Sequence, residues 1–402
     1  QTIGDTTYAE VTLPSCGWAP VYLSDDRRVA APSSPQPSPL QGERAQHEPS
    51  SLRGEGRVRC SATLLENELL RLELNDLGEI TRILDKETGH ELAAGVCNSL
   101  KMYKDVPTAW DAWDLDSMYA LTPVELPEKA SIEVLAAGPL VARLRVTRRL
   151  NRSQMVQEIS LRRGSRRVDF ATTIDWQESH KLLKVNFPVN IHANEAVHEI
   201  QFGHIRRPNH MSRPFDADRW EVSNHKWSAL CEENRGCAVL NDCKYGLNVV
   251  GNSINLTLLK SPLAPDMTAD KGKQEFTYAF YAWNGPLASS DVVREAYDLN
   301  CPVLVVPGAA EKHALFSLDA PNVIIEAVKP AEDGSGDLIV RLYEAMRSAT
   351  RCTLATSLPV KGAVQTNMLE EGNEPLACGG SGIALVFRPF EIKTVRLRIE
   401  NC

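Results

Sequence analysis

The chain has 402 residues, of which 43% are hydrophobic and 24% are charged, as in an ordinary soluble globular protein. Its net charge of −8 offers no basic surface for nucleic acid or an anionic membrane, and its apolar runs are too short for a spanning helix. Ten scattered cysteines without a CxxC pair argue against a disulfide framework and favour reduced thiols. We therefore expect a soluble, cytoplasmic protein of two or three domains, with neither nucleic acid nor membrane as partner.

The composition changes sharply near the start of the chain. Residues 31–57, within the interval 26–59, are rich in Pro, Ser, Gly and charge and almost free of apolar side chains. "PSPLQGE" at 37–43 is nearly repeated as "PSSLRGE" at 49–55. Because this composition cannot build a core, we expect residues 26–59 to form a disordered linker or an inserted repetitive element.

A β-hairpin is predicted soon after this interval. In "LLRLELNDLGEITRIL", Leu70, Leu72 and Leu74 lie on one face of a strand, "NDLG" supplies a turn, and a second strand returns through Ile80 and Ile83. This is the period of two expected for strands with one buried face.

The segment "WDAWDLD", residues 110–116, packs two tryptophans and three aspartates into seven positions. An aromatic face can stack on the apolar side of a sugar ring, and carboxylates can accept hydrogen bonds from sugar hydroxyls. The alternative is a buried tryptophan pair at a turn, with the aspartates capping backbone N–H groups. The residues alone leave both interpretations open.

The following segments continue the strand pattern. "LVARLRVTRRL" (140–150) and "RVDFATTIDW" (167–176) alternate apolar with polar side chains, as do four short runs after residue 320. One modest helix is predicted in "SSDVVREAYDLN", with Ser290 as its N-cap. A proline-bounded connection around residues 297–312 separates two strand-rich blocks. Many short strands predict an all-β fold built from β-sandwiches.

Two polar features fall between residues 190 and 210. Four histidines recur at intervals of six, namely His192, His198, His204 and His210. In a continuous strand this spacing separates successive imidazoles by about 20 Å, so it does not predict a shared metal site. Arg206 and Arg207 could present guanidinium groups to carboxylates or hydroxyls, or could form surface ion pairs.

Several long segments together resemble the C-terminal half of glycoside hydrolase family 38 α-mannosidases, in their cytosolic and bacterial branch. They are "LLENELLRLELNDLGEITRILDKETGHEL", "WDAWDLD", "GSRRVDFATTIDWQESHKLLKVNFPVNIHANEAVHEIQFGHIRRPNH", "LNDCKYG" and "LLKSPLAPD". The resemblance implies a large, galactose mutarotase-like β-supersandwich over residues 60–300 and a smaller β-sandwich over 301–402. "TYAEVTLPSCGWAPVYL", within residues 1–25, resembles the last strand of a preceding small β domain.

The same resemblance implies a function. Family 38 enzymes are retaining exo-α-mannosidases of mannose metabolism, in which an N-terminal α/β barrel supplies the nucleophile and the zinc ligands. Neither motif occurs in this chain, so the resemblance predicts no catalytic or metal-binding residue here and an inactive isolated chain, as a fragment or one piece of a split gene. Its partners would be an α-mannoside glycan and the missing barrel, and a homo-oligomer is left open.

The resemblance also suggests which residues contact the sugar. Trp113 is the first choice for an aromatic contact, and Lys271 stands where other members carry an arginine that reaches the substrate. The full set of substrate-binding candidates is Trp110, Asp111, Trp113, Asp114, Arg206, Arg207 and Lys271.

Two other functions are compatible with a β-rich chain. A carbohydrate-binding module would hold sugars on an aromatic platform without turnover. A mutarotase-like epimerase would need a histidine and a carboxylate on one sugar, and only His204 or His192 with Glu195 or Glu199 could supply them.

Overall fold

The computed structural model describes residues 1–3, 5–11, 13, 16–19, 21, 58–308, 311–379 and 382–399. Of these residues, 52% lie in strands and 6% in helices, whereas globular chains average about one-third helix. The predicted all-β class is therefore confirmed. The predicted linker or insertion at 26–59 lies outside the described residues except for its last two positions. No helix among the described residues is long and apolar enough to cross a membrane.

The strands are short and numerous, and we number them in chain order. They are β1 (Thr2–Ile3), β2 (Thr6–Thr7), β3 (Gly17–Trp18), β4 (Arg59–Ser61), β5 (Leu64–Glu66), β6 (Leu70–Leu74), β7 (Ile80–Asp85), β8 (Ser99–Lys104), β9 (Pro123–Val124), β10 (Ser131–Ala137), β11 (Val141–Leu150), β12 (Ser153–Arg162), β13 (Arg167–Trp176), β14 (Lys181–Pro188), β15 (Glu195–Ile200), β16 (Gly203–Pro208), β17 (Val222–Ser223), β18 (Trp227–Cys231), β19 (Arg235–Asn241), β20 (Gly246–Val250), β21 (Ser253–Lys260), β22 (Gly272–Asn284), β23 (His313–Ala314), β24 (Phe316–Leu318), β25 (Val323–Pro330), β26 (Leu338–Glu344), β27 (Thr350–Thr356), β28 (Val360–Thr366), β29 (Glu374–Leu376), β30 (Cys378–Gly379), β31 (Gly382–Phe387) and β32 (Ile392–Ile399).

Two large antiparallel sheets form the first sandwich. The nine-stranded sheet has the order β10-β11-β12-β13-β22-β19-β18-β15-β16, and the six-stranded sheet has the order β17-β20-β21-β14-β8-β9. Their inner faces share one apolar core with the hairpin strands β6 and β7. Phe170 and Tyr278 stack at its centre with ring centroids 5.0 Å apart, and Phe187 stacks on Phe280 at 6.0 Å.

The alternation read from the sequence explains which face of each strand is buried. On β11, Ala142, Leu144 and Val146 are buried. The outward Arg143 and Arg145 instead reach Glu158 on β12, at 3.4 Å and 2.9 Å. The predicted hairpin is confirmed as well, because β6 pairs antiparallel with β7.

One polar network lies inside this core and is fully bonded. The Asn98 amide donates to Gln157 Oε1 at 2.8 Å, and the Gln157 amide donates to Thr172 Oγ1 at 2.9 Å and to the Tyr278 hydroxyl at 2.8 Å. The Tyr278 hydroxyl closes the ring by donating to Asn98 Oδ1 at 2.6 Å. Because each of these groups has a partner, the network crosslinks the two sheets without leaving a desolvated polar atom.

The second sandwich pairs a four-stranded sheet, β24-β27-β31-β30, with a five-stranded sheet, β25-β26-β32-β28-β29. Its own apolar core includes Phe316, Leu354 and Phe387. The buried Glu344 carboxylate accepts backbone hydrogen bonds from Met346 at 2.7 Å and from Ser348 at 3.0 Å, which fixes the turn after β26. At the start of the chain, β3 pairs with β23.

The predicted helix is present, with a different cap. Helix α1 spans Val292–Asn300 and packs Val292, Val293 and Ala296 into a cluster between the two sandwiches. Its N-cap position is Asp291, without a side-chain capping bond. Ser290 is not the cap, since its hydroxyl donates backwards to the Leu287 carbonyl at 2.8 Å. Three short 3₁₀ segments complete the helical content of the described chain, at Tyr119–Leu121, Pro214–Arg219 and Leu287–Ser289.

Two glycines in left-handed turns provide a stability test of this packing. Gly78 has φ +76°, and a Cβ there would lie 2.5 Å from Val146 Cγ1, whereas Gly89 has φ +71° and open space around it. We expect Gly89→Ala to lower the free energy of unfolding by about 1–2 kcal/mol through backbone strain alone. Gly78→Ala should lower it by that amount and by about 1–3 kcal/mol more, because the methyl group overpacks the core.

Urea unfolding of both variants measures the difference. Equal losses for the two variants would contradict the close packing of the hairpin turn on β11.

Candidate functional site

The "WDAWDLD" segment lies on a loop, residues 105–122, between β8 and β9. This loop leaves the same end of the six-stranded sheet as the start of β14 and the end of β21, because Lys104 pairs with Lys181 and Leu182 pairs with Lys260. The loop at 261–271 follows β21 at this end. Three segments distant in sequence therefore converge around the tryptophans.

Both tryptophan side chains project into solvent. Trp110 is 73% exposed and Trp113 is 74% exposed. Their rings meet edge to face, with centroids 6.3 Å apart and planes inclined by 81°. This exposure excludes the buried tryptophan pair and leaves two large apolar faces open to a ligand.

The segment is nevertheless a turn. The Trp110 carbonyl accepts the N–H groups of Trp113 at 2.8 Å and of Asp114 at 2.9 Å. Trp110 has a φ of +58°, which a large side chain adopts rarely because of steric conflict with its own backbone. Such strain persists only where the surroundings hold it, and it is concentrated at functional sites.

The Asp111 carboxylate holds this turn in place. Its Oδ2 atom accepts the backbone N–H of Leu263 at 2.7 Å and of Ala264 at 3.2 Å. The same oxygen lies 3.1 Å from Nε2 of His180, which joins a third segment. The Oδ1 atom is buried and has no hydrogen-bond partner among the described residues. Asp111 is therefore the residue that ties the three segments together.

The electrostatics of Asp111 agree with this role. Burial raises the pKa of its carboxyl, but the backbone hydrogen bond from Leu263 and the contact with His180 outweigh that effect and hold the pKa below its ordinary value. The side chain is thus an anionic acceptor at neutral pH.

A buried ion pair fixes the base of the same loop. Lys260 Nζ lies 2.7 Å from Asp105 Oδ2 and also donates to the Asp114 carbonyl. The other carboxylate oxygen of Asp105 accepts the N–H of Asp116 at 2.8 Å. Sequence analysis missed Asp105 and Lys260, since single charged residues at strand ends carry no distinctive pattern.

The far end of the loop is anchored by Tyr119. Its hydroxyl accepts a hydrogen bond from the Asn248 amide at 2.9 Å, and its ring lies 5.4 Å from Nζ of Lys184. Lys184 is buried and pairs with Glu221 at 2.7 Å. Burial lowers the pKa of Lys184, and Glu221 opposes that effect. The loop is therefore held at both ends and in the middle, which leaves the tryptophan faces on a rigid support.

Two further candidates do not support the turn. The Asp114 side chain is exposed, and its Oδ1 accepts only the neighbouring Leu115 N–H at 2.9 Å among the described residues. Lys271 is exposed at the end of the loop that Asp111 holds, and its N–H donates to the Thr268 carbonyl at 3.1 Å. Both side chains remain available to a ligand.

Arg206 and Arg207 belong to β16, the edge strand of the nine-stranded sheet. Arg206 pairs with Glu195 at 2.6 Å, and Arg207 donates to the Ser223 carbonyl at 3.1 Å. The structure thus joins these arginines to β15 and β17 rather than to the tryptophan loop.

The histidines do not lie along one continuous strand, as the predicted separation of about 20 Å assumes. Strands β15 and β16 form a hairpin that places His198 one register position from His204, on the opposite face of the sheet. His198 Nδ1 lies 2.9 Å from the Ser228 hydroxyl, and burial lowers its pKa to about 3. His204 Nδ1 lies 3.2 Å from the Ala345 carbonyl. Glu199, the register partner of His204, instead pairs with Lys226 at 2.9 Å. The described residues include no group of three or more His, Cys, Asp or Glu side chains able to hold a metal ion.

Comparison with known proteins gives consistent matches along the chain. Residues 65–268 match the model of the glycosyl hydrolases family 38 C-terminal domain, and residues 322–395 match the family 38 C-terminal beta sandwich domain. Human alpha-mannosidase 2C1 is 36% identical over 99% of this chain, and alpha-mannosidase G of Dictyostelium discoideum is 35% identical over 83% of it. The chain spans 38% and 32% of the lengths of these two relatives.

A solved structure shares the fold. The crystal structure of an alpha-mannosidase from Enterococcus faecalis superimposes with a TM-score of 0.68 at 20% identity, over 85% of this chain and 43% of that chain.

The anchoring role of Asp111 is testable by substitution. Asp111→Asn should lower the free energy of unfolding at pH 7 by about 1–2 kcal/mol, because the charge-assisted hydrogen bonds are weakened. Asp114→Asn is the matched control and should change it little. Since the folded-state pKa of Asp111 lies below its unfolded value, its contribution is complete above about pH 4 and is lost as the pH falls through the folded-state pKa.

Urea unfolding between pH 7 and pH 3 checks this dependence. The difference between the wild-type chain and Asp111→Asn should narrow towards acid pH. A constant difference would show that the ionised carboxylate is not the source of stabilisation.

Proposed function

The chain belongs to glycoside hydrolase family 38, and from this premise we propose that it is the C-terminal β portion of a retaining exo-α-mannosidase. In this proposal the complete enzyme removes mannose from α-mannosides of glycans or oligosaccharides. The chain packs on the catalytic portion that precedes it in the family and forms one wall of the sugar pocket. Its relatives are α-mannosidases by name, but they are far longer than this chain.

The main support for this proposal is the exposed tryptophan pair on its hydrogen-bonded loop. Residues 110 and 113 fall inside the region that matches the family model. Two rings that are nearly three-quarters exposed have no role in a core. Their support by Asp111 and by the Lys260–Asp105 pair keeps them in place without a ligand. Because these contacts already order the loop, sugar binding there costs less conformational entropy than binding to an unsupported loop.

The chemistry assigned to this chain is positioning. The Trp113 face stacks on the sugar and excludes water, while the Asp114 carboxylate accepts a hydroxyl hydrogen bond and the Lys271 ammonium donates one. Asp111 is unsuited to act as the nucleophile, since its Oδ2 accepts two backbone N–H groups and its Oδ1 is buried away from solvent. The described residues do not fit a zinc site, so we assign no step of this chain to the metal, which the family resemblance places with the catalytic portion.

The domain organisation and location form part of the proposal. We assign residues 1–25 to a preceding small β domain, 60–300 to the supersandwich and 301–402 to the final sandwich, with support from their separate apolar cores. A cytoplasmic location is part of the proposal, and the free thiols of Cys97 and Cys237 agree with a reducing compartment.

The isolated chain provides the first functional test. We expect it neither to retain zinc in a one-to-one ratio after dialysis nor to cleave an aryl α-mannoside, because neither the motifs nor a described metal site is present. Metal analysis and a chromogenic assay measure both properties. Hydrolysis with retained zinc would contradict the assignment, whereas mannoside binding without turnover after reconstitution would favour the rival binding module.

Trp113 provides the second test. In a chimera that joins this chain to the preceding part of human alpha-mannosidase 2C1, Trp113→Ala should reduce kcat/KM by roughly five- to 150-fold. This range corresponds to about 1–3 kcal/mol, by analogy with base–aromatic stacking. Trp113→Phe should retain most of the activity because it keeps an aromatic face.

Stability measurements on the same variants separate the two roles of the ring. Removal of a core tryptophan would lower the free energy of unfolding by about 3–5 kcal/mol, whereas an exposed ring should contribute little. A large drop in Tm with normal turnover per folded molecule would assign Trp113 to structure.

A further inference from the structure

A second apolar surface lies on the segment that follows helix α1. Val303, Leu304, Val305 and Val306 are consecutive and between 66% and 89% exposed. Isolated exposed apolar residues are common on protein surfaces, but contiguous exposed apolar patches mark interaction sites. We call residues 303–306 the apolar strip.

The backbone of the strip is also available for pairing. Residues 302–308 belong to no helix or strand of the described structure. Four consecutive side chains point to more than one side of the backbone, so their common exposure means that the segment is uncovered on more than one side. An added strand would satisfy the backbone groups and cover the side chains together. Pro302 and Pro307 flank the strip. Because proline has no N–H group to donate, strand pairing would be limited to residues 303–306.

A recess of about 500 Å³ adjoins the strip. It is lined by both apolar and charged side chains, among them Leu140, Val141, Leu299 and Pro302, the residue just before the strip. Its charged groups are largely paired with each other, as in the contacts Arg143–Glu158 at 3.4 Å and Arg162–Asp169 at 3.0 Å. Because its positive and negative side chains are balanced in number, the recess is better suited to bind a protein surface of mixed polarity than an anionic ligand.

The first residue of this chain lies at the edge of the same recess. Gln1 Oε1 accepts the backbone N–H groups of Leu140 at 2.7 Å and Val141 at 2.9 Å, and its amide donates to the Val141 carbonyl at 3.1 Å. The chain spans only 38% and 32% of the lengths of the relatives, and the matched region is a C-terminal domain of the family, so further polypeptide precedes this region in the relatives. It would enter next to the recess and the strip, at high local concentration.

We propose that the apolar strip and the adjoining recess are the docking surface for the portion of the enzyme that precedes this chain, which adds a strand along residues 303–306. This inference rests on the proposed function, because that function supplies the partner. A second copy of the chain is less suitable, since it lacks the advantage of covalent attachment beside Gln1.

The docking surface is separate from the tryptophan site. Arg167 and Asp169, at the start of β13, line the recess. Trp176, at the other end of β13, pairs with Gly272 next to the 261–271 loop. Ten residues of strand span about 30 Å, so substitutions at one surface leave the other intact.

Hydrogen exchange and binding test the proposal. The wild-type chain is compared with the double variant L304D/V305D and with the matched control Leu369→Asp, a leucine that is 78% exposed elsewhere. In the isolated wild-type chain, the amides of residues 303–306 should exchange rapidly. Protection there in the isolated chain would overturn the proposal, because a second copy or residues 22–57 would then cover the strip.

The binding experiment uses the preceding portion of human alpha-mannosidase 2C1, co-expressed with each form of the chain. The wild-type complex should protect residues 303–306, the double variant should associate at least tenfold more weakly, and Leu369→Asp should associate normally. Equal association of the double variant would overturn the docking surface and leave the proposed function standing. If the wild-type chain does not associate at all, the partner in the proposed function is wrong, and this inference falls with it.

Discussion

The apolar core shared by the nine-stranded and six-stranded sheets is the constraint on which the other features of the molecule depend. Each sheet must bury one face, and the two buried faces meet around Phe170, Phe187, Tyr278 and Phe280. Within the six-stranded sheet that this core supports, β14 pairs with β8 and β21, which brings the end of β8, the start of β14 and the end of β21 together where the tryptophan loop begins. The position of the candidate site is thus a consequence of strand pairing in a sheet that the core holds in place, although none of the candidate residues belongs to that core.

The loop itself is stabilised by charge and hydrogen bonding rather than by apolar burial. Asp111 binds the backbone at residues 263 and 264, and Lys260 binds Asp105. Both contacts join residues about 150 positions apart in sequence. A loop held in this way can expose large aromatic rings and a strained Trp110 backbone, because the neighbouring polar contacts offset the strain.

The molecule has two exposed apolar surfaces with different architecture. The tryptophan pair lies on a loop held by polar contacts, as expected of a sugar-binding face. The strip at 303–306 lies beside a recess and belongs to no strand of the described part of the chain. Two such surfaces are consistent with a chain whose relatives are two to three times longer than itself. In our proposals the tryptophan pair lines the sugar pocket together with the catalytic portion, and the strip provides a separate contact with the preceding polypeptide.

The sequence by itself determined the all-β class, the hairpin at β6 and β7, the buried face of β11 and the concentration of aromatic and acidic residues at 110–116. These are local properties, because alternation with a period of two follows from the geometry of a single strand. The sequence also showed the resemblance to family 38, because that resemblance depends on residue identity alone. Only the tertiary structure decided that Trp110 and Trp113 are exposed, that Asp111 is an anchor, and that Arg206 and Arg207 lie on an edge strand. These facts depend on which distant strands become neighbours and on their register, which local patterns do not encode.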